Sequence, residues 1–147
     1  PATAGTSLTI SGNSSTVGQK PLLGRCTIAG ACGTIVLDGL GVADWGYVFG
    51  PTFDPVGRCY AEDGTFTITL RSDGSTISGP LTGTYCPMSS SKNQGADNSY
   101  GNPYDEHATV ALSGGSGQFA GFAGELTYQA SSAGARTRVS LQGTLTD

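Results

Sequence analysis

The sequence predicts an all-β protein, most simply an antiparallel β-barrel, with a β-sandwich as the second choice. Apolar residues alternate with Thr and Ser in several short segments, and Gly accounts for 24 of the 147 residues. Charged residues make up only 12% of the chain, about half the usual share. No segment carries an apolar stripe with helical spacing and caps. We expect one domain over residues 1–147, with 1–7 as a flexible or strand-exchanging arm.

The clearest strand signal is an alternation of apolar residues and threonines that ends at an Asp-Gly turn. A period of two places the apolar side chains on one face of a half-buried strand. The turn returns the chain as the second strand of a hairpin. The alternating residues are Phe66, Ile68 and Leu70, the turn is 71–74, and the returning strand covers 75–78 and 81–85.

Further strands are predicted from shorter apolar alternations along the chain. Two stretches are predicted to be irregular connections, because Gly and Pro interrupt the first and polar residues dominate the second. The strands lie around Leu8 and Ile10 and at 34–37, 109–112, 125–129 and 136–145, and the irregular stretches are 44–58 and 87–106.

Four cysteines in a small chain rich in Gly and Thr indicate two disulfides and an oxidising compartment. We therefore expect a secreted, extracellular protein. Of the three possible connectivities, the one that asks least of the topology pairs Cys26 with Cys32 and Cys59 with Cys86. A zinc site is disfavoured, because the chain has no C-x-x-C pair and its single histidine, His107, is distant in sequence.

Charge and hydropathy exclude several classes of partner. The net charge is −4 and the seven basic residues are scattered, whereas nucleic-acid binding needs concentrated positive charge. No apolar run has the length of a membrane span. No cofactor is expected, because the glycine-rich segment near the C-terminus leads into a strand and not into the helix of a dinucleotide site. Calcium is disfavoured, since the oxygen-rich residues Asp97, Asn98, Asn102 and Asp105 match no EF-hand spacing.

Residues 110–128 read VALSGGSGQFAGFAGELTY and place a glycine-rich turn between two predicted strands. Clustered glycines permit positive φ, so the chain turns sharply and Phe119 folds back as a plug over the core. This turn resembles the hairpin near the chain end of the allene oxide cyclase barrel family and of its relatives, the dirigent proteins. The resemblance covers the last half of the chain and implies a barrel. The motif residues are Gly114, Gly115, Gly117, Phe119, Gly121 and Gly124.

The resemblance implies no catalytic residue in this chain. Plant allene oxide cyclases use a carboxylate and a tightly held polar group, contributed largely by the N-terminal half of the chain. The first half of this sequence has no match to those positions. The cysteines also depart from the intracellular cyclases.

The candidate ligand-binding residues are mainly aromatic. If their segment is extended, Trp45, Tyr47 and Phe49 share one face. That face would form core, line a pocket or, if exposed, stack on sugar rings, and core is favoured. Tyrosines from later strands would join the same interior. The candidates are Asp44, Trp45, Tyr47, Phe49, Tyr85 and Tyr128.

These observations leave functions of different classes open. The first hypothesis is a non-catalytic extracellular barrel, which either serves as a surface, matrix or filament subunit through self-association or holds a small apolar ligand. The second is an isomerase or cyclase acting on an apolar substrate inside the barrel. The third is a carbohydrate-binding module that uses Trp45. His107 shares a strand face with Asp105 but is interpreted as a surface residue and not as a general base.

Overall fold

A computed structural model describes residues 5–17, 30–87, 101–134 and 136–147 of the chain. In these residues eight strands form a closed antiparallel barrel, in which each strand pairs with its neighbours in sequence and the last pairs with the first. The barrel confirms the predicted fold class and excludes the sandwich. The strands are β1 Ser7–Val17, β2 Gly30–Leu37, β3 Gly41–Val56, β4 Cys59–Leu70, β5 Thr76–Pro87, β6 Gly101–Leu112, β7 Ala123–Gly134 and β8 Arg136–Thr146.

Alternate residues of each strand fill the barrel interior. The predicted face of β4 is confirmed, since Phe66, Ile68 and Leu70 are fully buried. The other strands contribute side chains with the same period of two, as expected when one face of a sheet is enclosed. Further buried aliphatic residues are Ile10, Ile35, Leu37, Ile77, Leu81, Val110, Leu112, Leu126, Val139, Leu141 and Leu145.

The glycine-rich turn between β6 and β7 closes one end of the barrel, here called the plug end. A short 3₁₀-helix, Gly117–Phe119, carries the fully buried Phe119 ring into the core. Gly114, Gly117 and Gly121 all have positive φ, which residues with a Cβ rarely adopt. The backbone N–H of Gln118 donates to the hydroxyl of Ser75 at 2.9 Å, so the turn is attached to the β4–β5 connection. The predicted plug is thus confirmed.

The Cys59–Cys86 disulfide marks the opposite end, here called the disulfide end. It joins the start of β4 to the end of β5, with an S–S distance of 2.04 Å, and confirms the predicted pair. Cys32 on β2 is also disulfide-bonded, while Cys26, its predicted partner, lies outside the described residues. No described residue belongs to a helix long and apolar enough to cross a membrane.

The prediction of an irregular stretch at 44–58 is wrong, because 44–56 belong to β3 and only the turn at 57–58 lies outside the strands. A register shift between Phe49 and Phe53 absorbs the intervening Gly and Pro residues as a bulge. Beyond Val48, β3 pairs only with β4 among the described residues. Proline has no N–H to donate to a neighbouring strand. It is tolerated where one side of the strand has no partner. The second irregular stretch is also partly wrong, since β6 begins at Gly101.

The barrel closes through β1 and β8, which pair along the whole of β1 from Ser7 to Val17. The predicted strand around Leu8 and Ile10 therefore pairs within its own chain. The backbone N–H of Thr6 also donates to a carboxylate oxygen of Asp147 at 2.6 Å. Residues 1–4 lie outside the described residues, and the exchange of 1–7 with another molecule stays a prediction.

Candidate functional site

Three of the predicted ligand-binding residues meet in the barrel interior. The ring of Tyr128 lies 5.9 Å from that of Trp45 and 6.4 Å from that of Tyr47, centroid to centroid. Trp45 also stacks on Phe66 at 5.9 Å. The Trp45 side chain is only 3% exposed, so it offers no face on which a sugar ring can stack. The prediction of a carbohydrate-binding module built on Trp45 is therefore wrong.

Asp44 lies outside the barrel, which corrects its assignment to the ligand-binding set. Successive strand residues point to opposite faces, so the inward Trp45 requires its neighbour to face outward. The Asp44 carboxylate pairs there with the guanidinium of Arg71, with an N–O distance of 2.8 Å, and both side chains are about half exposed. Asp44 has a surface ion pair and no contact with the interior.

Two glutamates that sequence reasoning missed form the polar centre of the interior. Glu62 on β4 and Glu106 on β6 are 5% and 6% exposed, and their side chains hydrogen-bond each other. In the strand between them, Gly83 lies opposite Glu62. Glycine carries no side chain there, and Glu106 lies opposite Tyr85, two residues further along the same strand. The two carboxyl groups thus meet across β5 on a diagonal. We call Glu62 and Glu106 the carboxyl pair.

The carboxyl pair holds a proton at neutral pH. Burial, followed by the hydrogen bond and the negative charge of Glu62, raises the pKa of Glu106 to about 10. Glu106 is therefore the protonated partner and donates to Glu62. Tyr128 on β7 adds a hydrogen bond from its hydroxyl to Glu106, which acts against this rise. A protonated carboxyl group with a tyrosine hydroxyl beside it is an arrangement suited to general acid–base chemistry.

Neutral tyrosine hydroxyls surround the carboxyl pair. Burial and the charge of Glu106 raise the pKa of Tyr85 to about 12, and burial raises the pKa of Tyr104 further, with Glu106 as the next cause. Burial and the charge of Glu62 likewise raise the pKa of Tyr47, whose hydroxyl donates to the backbone carbonyl of Asp63 at 3.2 Å. These phenols therefore stay protonated and serve as hydrogen-bond donors.

A run of aromatic rings connects the carboxyl pair to solvent. Phe53 stacks on Tyr60 with ring centroids 4.4 Å apart and lies 6.0 Å from Tyr85, which in turn stacks on Tyr104 at 4.9 Å. Phe53 is 52% exposed and is the register partner of Glu62. We call Phe53, Tyr60, Tyr85 and Tyr104 the mouth aromatics. They form an apolar surface that begins at solvent and ends at buried carboxyl groups.

Phe49, another predicted ligand-binding residue, lies beside this surface. Its ring contacts that of Tyr47 edge to face at 5.0 Å, and its side chain is 56% exposed. Trp45, Tyr47 and Phe49 thus share a face as predicted. The face passes from core at Trp45 to solvent at Phe49.

Two buried polar atoms near the rings have no hydrogen-bond partner among the described residues. They are Oε1 of Glu62 and Nε1 of Trp45. Buried polar groups are normally paired, and an unpaired one costs about 1–3 kcal/mol. One acceptor and one donor of this kind in the same interior are suited to a polar group of a bound molecule.

The outer wall carries a separate polar groove of about 590 Å³ that contains none of the predicted ligand-binding residues. His107 and Asp105 line it together, and His107 is exposed. His107 thus shares a strand face with Asp105 and lies at the surface, as predicted.

The alternation in β4 and β6 contains a signal for the carboxyl pair. The inward series Phe66, Ile68, Leu70, continued toward the N-terminus, passes through Gly64 to Glu62. The same step of two back from Val110 reaches Glu106. A carboxylate at an inward position marks each strand, but only the strand order shows that the two face each other.

Fold and site together define a closed antiparallel β-barrel with a buried carboxyl pair behind an aromatic entrance. Comparison of the chain with models of protein families, with curated protein sequences and with solved structures gives no match. Among the described residues, no group of three or more His, Cys, Asp and Glu side chains is placed to hold a metal ion.

Proposed function

We propose that this protein is a secreted barrel that binds a small, mostly apolar organic molecule at the disulfide end, between the mouth aromatics and the carboxyl pair. The observation that carries the proposal is the burial of Glu62 and Glu106 against each other. The burial of two carboxyl groups opposes folding. Their presence in the core therefore favours a role in function over a role in stability. Strongly perturbed titratable groups cluster at functional sites.

The surroundings of the carboxyl pair support a ligand with a large apolar part. Ligand sites are mainly apolar and aromatic, with a few polar groups that orient the bound molecule. The mouth aromatics supply the apolar surface, while the carboxyl pair and the tyrosine hydroxyls supply the polar groups. Cys32 on β2 and Cys59 on β4 are both disulfide-bonded. Disulfides persist in oxidising compartments, so these bonds support secretion.

The single tryptophan allows a direct test. Trp45 contacts Tyr128 in the interior, so its fluorescence reports on events near the carboxyl pair. We expect a panel of small benzene derivatives to change this fluorescence saturably. Phe53→Ala should weaken the effect several-fold, and Val36→Ala, which shortens an equally exposed apolar side chain on the outer wall, should not. Absence of saturable binding across the panel, or equal affinities for the two variants, would overturn the proposal.

A second candidate function is that of an isomerase or cyclase on an apolar substrate. The protonated Glu106 beside the Tyr128 hydroxyl favours it, because a buried acid can protonate a bound oxygen and then recover the proton. The resemblance of the glycine-rich turn to the allene oxide cyclase barrel supports the same proposal at the level of fold.

Styrene oxide is a suitable probe of this second function. Protonation of the epoxide oxygen opens the ring, a hydride shifts to the cation, and loss of the O–H proton yields phenylacetaldehyde. We expect the protein to accelerate this isomerisation, as followed by NMR, and expect Glu106→Gln to abolish it while 2-phenylethanol still binds. Equal rates with and without the protein would remove the enzyme proposal and leave the binding proposal intact.

A further inference from the structure

The carboxyl pair has a negative charge with no cation beside it in the described residues. The side chains that act on the pKa of Glu106 are the carboxylate of Glu62 and the phenol of Tyr128. The guanidinium of Arg71 is engaged by Asp44 on the outer wall, and Arg138 lines the outer groove. Arg58, exposed in the turn between β3 and β4, does not act on the pKa of Glu106. The described part of the chain thus gives the buried charge no partner of opposite sign.

The unpaired oxygen of Glu62 is an acceptor for a donor that the described protein groups do not supply. The nearby tyrosines are neutral. Tyr47 hydrogen-bonds the carbonyl of Asp63 and the side chain of Glu62, and Oε1 of Glu62 still has no partner among the described residues. An ammonium group carries three N–H donors and one positive charge. It would satisfy this oxygen and neutralise the single charge of the pair, while Glu106 keeps its proton.

The aromatic rings around the entrance favour the same charge. The faces of tyrosine and phenylalanine rings are negative and attract cations within about 6 Å of the ring centre. Phe53, Tyr60, Tyr85 and Tyr104 contact one another in sequence, so a cation passing from solvent to Glu62 meets ring surfaces along the way. A neutral ligand would gain the apolar contact but neither the attraction to the rings nor the ion pair.

Resting on the ligand site proposed above, we propose that the ligand is an arylalkylamine, bound with its ammonium group on the carboxyl pair and its ring against the mouth aromatics. The geometry that supports this assignment is the juxtaposition of the unpaired Glu62 oxygen with the run of stacked rings. The substrate class thus becomes an organic cation of roughly one aromatic ring and a short amine chain.

The test compares phenethylamine with 2-phenylethanol, which has the same ring and chain but a neutral hydroxyl group. We expect the amine to bind the full chain at least about tenfold more tightly at physiological ionic strength, which corresponds to about 1.4 kcal/mol. Glu62→Gln should bring the two affinities together, since it removes the charge and keeps the shape. Glu125→Gln, on the exposed face of β7, serves as the matched control and should leave the preference unchanged.

The outcomes separate this inference from the proposal on which it rests. Equal binding of both probes to the wild type would contradict the proposal that the ligand carries an ammonium group. It would leave the proposed ligand site unaffected. Binding of neither probe would count against the ligand site itself. An equal loss of preference in Glu62→Gln and Glu125→Gln would show attraction to net charge only, and would overturn the inference.

A second variant covers the case in which Glu62→Gln fails to fold. Tyr60→Leu keeps apolar area at the entrance and removes one negative ring face. We expect it to weaken phenethylamine binding several-fold and to change 2-phenylethanol binding little. A parallel loss for both probes would contradict the proposed contact between the cation and the rings.

Discussion

Glu62 and Glu106 hydrogen-bond each other across β5, where Glu62 lies opposite Gly83 and Glu106 lies opposite Tyr85. A Cβ built on Gly83 would overlap the backbone carbonyl of His107 and the Cβ of Ala108. The close approach of β5 to β6 thus depends on this glycine.

Replacement of this glycine tests the close approach of the two strands. Gly83→Ala should destabilise the protein by about 3 kcal/mol, because the clash is with backbone and not with a flexible side chain. Urea denaturation would measure the loss. Thr82→Ala, on the exposed face of the same strand, is the control and should lie within about 0.5 kcal/mol of the wild type. Equal stability of the two variants would show that β5 and β6 move apart freely.

The raised pKa of Glu106 makes stability depend on pH. The unfolded chain loses this proton near pH 4.5 and the folded chain near pH 10, so the folded state binds more protons throughout that window. Stability should therefore fall as pH rises between these values, by at most about 1.4 kcal/mol per pH unit from this group. Glu106→Gln should flatten the dependence and be more stable than the wild type in mildly alkaline buffer.

The measurement is the free energy of unfolding in urea at several pH values across the window. Glu125→Gln provides the control, since it removes an exposed carboxylate from the outer face of β7 and should keep the wild-type slope. A wild-type stability that rises with pH would contradict the shared proton.

The plug end offers a test of packing. Phe119 is fully buried, and Phe119→Ala should cost about 3–5 kcal/mol through lost burial and the cavity that remains. Thermal unfolding followed by circular dichroism would report the change. Val36→Ala, at a largely exposed position on the outer wall, should have little effect. A similar melting temperature for both variants would mean that the ring is dispensable for closing the barrel.

The Cys59–Cys86 disulfide should stabilise the chain by restricting its unfolded state. The two residues are separated by 27 positions, and a loop of this size corresponds to about 3–4 kcal/mol in the chain-entropy model. The double variant Cys59→Ser/Cys86→Ser should lose that amount in urea denaturation under non-reducing conditions. A loss below about 1 kcal/mol would show that pairing of β4 with β5 by itself holds the disulfide end.

Local patterns in the sequence account for much of the fold. The alternation of Phe66, Ile68 and Leu70 determines the inward face of β4, and the glycine cluster predicts the turn that carries Phe119. Both depend on neighbours within a few residues, and a period of two or a run of glycines is visible without knowing where the strand lies. The strand β3 was not visible in this way, because Gly and Pro interrupt its pattern at a bulge that only its pairing with β4 explains.

The candidate site depended on tertiary structure. The sequence placed Trp45 and Tyr47 on one face only if their segment is extended. The extended strand β3 makes that face the inward one and turns Asp44 outward. That Glu62 meets Glu106, with Tyr128 hydrogen-bonded beside them, follows from strand order and register in the closed barrel. The sequence by itself determined which face is buried in the strands with an unbroken alternation, such as β4, because side-chain direction is a local property. Which buried side chains touch was decided only by barrel closure, because residues 44 positions apart come together through the pairing of whole strands.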